Sequence, residues 1–242
     1  MKYLFPFVFA LILGCSKPPD AEETVANAID FSGVKKLENA EISFSFRGTD
    51  YVYQKRNGVY RYSRSLKDSL GNDVQDVLTN TGFNRFVNGK LILLEEEKKE
   101  TLSASLNSVI YFAFLPFPLA DDAVNSTYVD KVSIKDQKYH KIKVTFDEDG
   151  GGEDYEDVFI YWLAFDDYSL DYLAYSYNEK DGKGLRFRQA YNPRRVNGIL
   201  IQDYRNFKPR DEVELSLTNI DQAFTAGDLT LLSVIELKQV SF

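Results

Sequence analysis

From Glu41 onward, large apolar side chains fall at every second position: Ile42, Phe44 and Phe46 in EISFSFRG, then Tyr51 and Tyr53 in DYVYQKR. Successive strand residues point to opposite faces, so this spacing gathers the rings on one side of a pleated ribbon. Asn57-Gly58 separates YVYQKR from VYRYSRSL. A two-residue hairpin turn needs positive φ at both central positions, which this dipeptide tolerates. The hairpin is continued by residues 73–80, a turn near Gly82, residues 83–87, a second Asn-Gly at Asn88-Gly89, and residues 90–94. With 16 Tyr and 18 Phe, the composition suits half-buried pleated surfaces. Such a ribbon must bend around its aromatic face or leave that face in water.

The alternation stops at Glu95. EEEKKETLSASLNSVIYFAFLP carries Leu102, Leu106, Val109, Ile110 and Ala113 at helical spacing, with acids at its start and Pro116 and Pro118 at its end. This predicts a central helix over residues 101–115. Strands are expected again at residues 128–134, 139–146, 158–165, 170–178, 185–191, 198–207 and 229–240, parted by turn signals such as Asp166-Asp167 and Asn197-Gly198. Residues 208–228 read as a polar connection with a short helix near residues 219–226. Ahead of the first strand, residues 21–39 place Val25, Ile29 and Val34 on one side, with Glu22 and Glu23 in the first turn and an interruption at Gly33.

Two meanders joined by one amphipathic helix, without a Pro- or Ser-rich linker, imply a mainly β (α+β) fold. Twisted sheets of more than about ten strands curl. The expectation is a large curled antiparallel sheet, an incomplete β-barrel, with an N-terminal helix and a central helix covering its concave side. One domain is expected over residues 28–242.

The first residues, MKYLFPFVFALILGCSK, set one Lys before an apolar stretch of about eleven residues that ends at Gly14 and Cys15. A spanning helix needs about twenty, so residues 1–14 read as a lipoprotein signal peptide. Ile12-Leu13-Gly14-Cys15 resembles a lipobox and departs from it at Leu13, where a smaller or β-branched residue is usual. Cys15, the only cysteine, is the expected lipid attachment, which leaves no unpaired thiol in an oxidising compartment. Residues 15–27, with Pro18 and Pro19, read as the lipidated tether. The membrane, reached through that anchor, is the first expected partner. The expected address is the cell envelope, at the outer membrane, facing periplasm or exterior. A net charge of −8 makes nucleic acid and anionic head groups poor partners.

The segments ENAEISFSFR, RYSRSL, VLTNTGFNRFVNGK, NSVIYFAFLPF, GGGEDYEDVFIYW, DYLAYSY and RFRQAYNPRRVNG resemble an uncharacterised family of Bacteroidetes envelope lipoproteins, over residues 28–242. That resemblance implies location and architecture, because the family has no established activity. The order of helix, hairpins and central helix also resembles the lipoprotein carriers of the LolA and LolB type, in which an incomplete barrel holds an apolar cavity plugged by helices. Fold likeness alone does not license function. Asp68-Ser69-Leu70 resembles the short O-glycosylation acceptor motif of Bacteroidetes.

Residues 109–120 (VIYFAFLPFPLA) contain no charge. A helix apolar all round must meet the sheet on one side and loops, a ligand or a membrane on the other. The cavity candidates are Phe44, Phe46, Val109, Ile110, Phe112, Phe114 and Leu115. Residues 147–157 (DEDGGGEDYED) set acids around three glycines. A solvated hairpin tip is the commoner reading of such a loop. Hard oxygen ligands suit calcium, with Asp147, Asp149, Glu153 and Asp154 as candidates, although EF-hand spacing is absent. Arg186 and Arg188 share one strand face and could hold a carboxylate or phosphate; an ion-paired outer face is the simpler expectation. His140 is the only histidine, so zinc sites with several histidines are excluded, and no GxSxG, GxGxxG or Walker loop is present. No cofactor is implied.

The leading expectation is a non-catalytic binding or carrier lipoprotein for a lipid or other apolar ligand. A structural module that displays loops to an envelope protein partner comes second. A carboxylate-dependent hydrolase is third, since acids alone can act as general acid and base.

Overall fold

The computed structural model describes residues 19–149, 155–179, 182–210 and 215–242. Asp20 accepts hydrogen bonds from the backbone N–H groups of Glu22 and Glu23, at 2.9 and 3.4 Å, and so starts helix α1 (Ala21–Ser32). Gly33 ends it in the left-handed region with φ 71°. A Cβ at Gly33 would collide with the backbone carbonyl of Gly198, so this position needs glycine for space as well as for φ. A 3-10 turn (Val34–Glu38) leads into β1 (Asn39–Phe46).

The first meander comprises β1, β2 (Thr49–Arg56), β3 (Val59–Lys67), β4 (Asp73–Thr79), β5 (Gly82–Val87) and β6 (Lys90–Ile92). Helix α2 (Glu96–Ala113) follows. Its first turn precedes the expected start because charged, exposed residues carry no apolar spacing. The second meander comprises β7 (Val124–Ile134), β8 (Gln137–Phe146), β9 (Val158–Ala164), β10 (Leu170–Glu179), β11 (Gly182–Val196) and β12 (Ile199–Pro209). Helix α3 (Ile220–Ala226), β13 (Leu229–Ile235) and β14 (Lys238–Ser241) complete the described chain.

Each meander forms an antiparallel sheet. The first has the order β14-β1-β2-β3-β4-β5-β6 and the second β13-β12-β11-β10-β9-β8-β7. The curled ribbon and incomplete barrel expected from the sequence are present, divided into two sheets of seven strands rather than drawn out as one. The division falls between β13 and β14, where the Leu237 N–H donates to the Asp203 carboxylate at 3.0 Å instead of to a neighbouring strand. β13 pairs with β12 and β14 with β1, so the last strands stitch the sheets along one seam. At the far ends β6 and β7 each pair on one side only.

The main core lies between the sheets. Ile42, Phe44, Tyr51 and Tyr53 meet Ile142, Tyr161 and Leu173 there, with Val25 and Ile29 of α1, Leu106 and Ile110 of α2, and Phe114 just past its end. A second core covers the outer face of the second sheet, where Ile160, Trp162, Tyr172 and Phe187 pack under Ile220 and Ala223 of α3. This explains the strand sequence VFIYWLA in β9, apolar at both parities because both its faces are covered. At the centre of that outer core, Lys141 Nζ sits 3.1 Å from each carboxylate oxygen of Asp221, and Trp162 Nε1 donates to the same carboxylate at 3.2 Å.

Both side chains of the Lys141–Asp221 pair are 5% exposed. Removing the acid strands a buried ammonium, so Asp221→Ala is expected to lower unfolding free energy by about 3–5 kcal/mol in urea titrations. The pairwise replacement Lys141→Met with Asp221→Leu is expected to recover most of that loss.

Candidate functional site

Helix α2 seats Leu106, Ile110 and Phe114 in the main core. Its remaining surface toward the second sheet carries short side chains at Ser103, Ala104 and Ser108, followed by the rings of Tyr111 and Phe112. Short side chains cannot fill the distance to the strands opposite. A cleft of about 570 Å³ results, walled by Tyr60 and Leu78 of the first sheet and by Phe146, Phe159, Tyr175 and Arg188 of the second. A smaller chamber of about 210 Å³ adjoins it, lined among others by Phe46, Val109, Gln202, Tyr204, Asn206 and Leu237. Ser108, Phe112 and Arg188 belong to both linings and form the wall between them.

The rings of the larger chamber hold one another. Phe159 stacks on Tyr175 with centroids 5.3 Å apart, and Phe112 lies 5.3 Å from Tyr175. The Tyr111 and Tyr161 hydroxyls share a hydrogen bond of 3.0 Å that ties α2 to β9. Burial raises the pKa of both phenols well above the ordinary tyrosine value, so both are neutral at any physiological pH. On the side of the first sheet, fully buried Asp76 receives Arg64 at 2.8 Å and Arg85 at 2.6 Å. Arg64 in turn donates to Ser105 Oγ of α2 at 3.0 Å. Coulombic attraction and hydrogen bonding therefore fix the helix to that sheet.

Among the cavity candidates, Phe46, Val109 and Phe112 line these chambers. Phe44, Ile110, Phe114 and Leu115 line neither, because they are packed into the main core, Phe114 edge-on to Phe44 at 5.8 Å. Arg186 and Arg188 do not lie on the expected outer face. They point into the larger chamber, because Leu185 and Phe187 at the opposite parity are drawn into the outer core under α3. The rings Tyr60, Phe159 and Tyr175 escaped the sequence-based selection. The strands of Phe159 and Tyr175 are aromatic at both parities, so alternation could not say which of their rings faces inward.

Cys15, Glu153 and Asp154 lie outside the described residues. Asp147 accepts from the Asn125 side chain at 2.7 Å, and Asp149 is exposed. No group of three or more His, Cys, Asp or Glu among the described residues is placed to hold a metal ion. The Asp68 carboxylate closes its turn by accepting from the N–H groups of Leu70 and Asn72, which leaves Ser69 at an exposed tip.

His140 is buried on β8 between the rings of Phe165 and Tyr168, at 4.9 and 5.6 Å, with Nδ1 3.1 Å from the Tyr128 hydroxyl. Burial, and secondarily the Lys131 charge, lower its pKa. The unfolded chain therefore takes up this proton at a higher pH than the folded one. The corresponding stability is complete above the ordinary histidine pKa of about 6.5 and is lost as pH falls through the depressed folded value. Melting temperature measured from pH 7.5 down to 5 is expected to fall more steeply in the parent protein than in His140→Gln.

No helix among the described residues is long and apolar enough to cross a membrane. No curated protein matches the chain. Among solved structures, a LolA superfamily protein from Nitrosomonas europaea superimposes with a TM-score of 0.53 at 10% identity, over 93% of this chain and 94% of that one. A DUF1329 family protein from Desulfovibrio piger aligns with a TM-score of 0.45 at 11% identity, over 92% of each chain. The first likeness is one of fold, an incomplete barrel with helices inside it. At the level of sequence the match is to a family of unknown function, DUF6503, over residues 24–236, and the chain belongs to that family.

Proposed function

We propose that this protein is a lipid-anchored component of the cell envelope, at the outer membrane, and that it binds or carries a lipid or other apolar ligand without catalysing a reaction on it. The observation that carries the reading is the aromatic cleft of about 570 Å³ between α2 and the second sheet. That volume lies in the range of about 300–1,000 Å³ typical of small-molecule sites. Unlike a well-packed core, it leaves aromatic surface of Phe112 and Tyr175 bordering open space. The fold shared with the LolA superfamily protein is consistent with a hollow of this kind. Anchoring rests on the opening residues, with their short apolar stretch ahead of Cys15. One attached chain would bind a membrane only marginally, so stable residence calls for more than one acyl chain on that residue.

Two measurements test the proposal. Solvent extracts of the protein purified from membranes should contain a lipid near one equivalent, read by mass spectrometry. Ser108→Trp, which fills the wall between the chambers, should lose that lipid while retaining cooperative unfolding. An extract free of lipid from the parent protein would remove the basis for a carrier. Separately, Cys15→Ala should abolish incorporation of labelled palmitate and release the protein from the membrane fraction; retained label would contradict the anchor.

A further inference from the structure

Arg188 is the buried cation of the hollow. It is 8% exposed, near the middle of β11, and its guanidinium carbon sits 3.8 Å from the centroid of Phe112 and 5.2 Å from that of Tyr175. Nη2 donates to the Tyr175 hydroxyl at 2.9 Å, while Nε, fully buried, has no acceptor. No carboxylate among the described residues pairs with it. Four other buried or half-buried cations are matched by carboxylates: Arg64 and Arg85 by Asp76, Lys141 by Asp221, and Arg194 by Asp203. Nor do the neighbouring phenols Tyr161 and Tyr204 supply a negative charge, since burial keeps both protonated. Aromatic faces offset part of the cost of burying a guanidinium. They leave a directed N–H without an acceptor, which buried groups seldom tolerate.

The second buried side-chain atom without a partner is Oδ1 of Asn206, which is 7% exposed. Arg188 and Asn206 are directly opposed across β11 and β12. The two side chains therefore lie side by side on the wall of the smaller chamber. The Asn206 amide nitrogen donates to Ser233 Oγ at 3.3 Å.

We propose that Arg188, with Asn206 beside it, is the head-group site of the hollow, and that the ligand is an amphiphile ending in an oxyanion. The anion accepts from the Arg188 guanidinium where it borders the hollow, and the apolar tail lies against Phe112, Phe159 and Tyr175. This rests on the reading of the hollow as a ligand site and adds the charge of what enters it. The net charge of −8 does not oppose it, because that balance governs encounter with anionic surfaces, whereas a bound head group meets the local guanidinium at short range in a medium that screens little. Carboxylate and phosphate heads share the required chemistry.

The test uses the delipidated full-length protein and the fluorescent probe cis-parinaric acid, beside its uncharged methyl ester. A charge-assisted hydrogen bond predicts that the acid binds about tenfold or more tightly than the ester. Arg188→Leu should erase that preference while keeping ester affinity, and Arg188→Lys should restore part of it. Displacement of the probe by oleate points to a carboxylate ligand, and displacement by oleoyl lysophosphatidate to a phosphate. Equal affinity of acid and ester for the parent protein overturns the head-group assignment and leaves the apolar hollow standing, a result independent of whether any variant folds. If neither probe binds, the hollow itself fails as a ligand site.

Discussion

Helix α2 keeps apart two sheets whose inner faces would otherwise pack on each other. Sheets in direct face-to-face contact lie about 10 Å apart, and a helix with its side chains is itself about 10–12 Å across. Inserting that layer converts a sandwich into an incomplete barrel, joined along β13–β14 and open between the edge strands β6 and β7. The helix is held to the first sheet by Leu106, Ile110 and Phe114 and by the Arg64 contacts, and to the second by Tyr111 and Phe112. Because its side toward the second sheet is built from small residues, the hollow follows from the same insertion.

The two sheets solve different burial problems. The first alternates along β1, with Ile42 and Phe44 inward and polar neighbours such as Ser43 on the opposite face. The second is covered on both faces and accommodates charge within its outer core through Lys141 and Asp221. Such pairs contribute little net stability while complete and cost much when half removed. Arg188 is the departure from this pattern. Its deep burial against the rings of the hollow, rather than any motif around it, sets it apart.

Several elements were legible in the linear sequence for reasons that are local. Asn57-Gly58 and Asn88-Gly89 tolerate the positive φ both turn positions adopt, and Gly33 stops α1 where a left-handed residue is required. The span of α2 was legible from Leu102 onward because its apolar spacing is helical, and illegible over its charged first turn. Of the cavity candidates, Phe46, Val109 and Phe112 reach the hollow while Phe44 and Phe114 pack together, a distinction of a few ångströms that spacing cannot encode.

Period-two alternation, turn dipeptides and helix stops are short-range properties of covalent geometry and side-chain direction, and from them the sequence alone determined a β-rich, antiparallel, incompletely closed architecture with a helix at its start and centre. Which face of the second sheet points inward was decided only by tertiary packing, because covering both faces makes both parities apolar. That choice turned Phe187 outward beneath α3 and Arg188 inward against Phe112. The hollow and its buried cation exist only because residues far apart in the chain converge there, and no local pattern records that convergence.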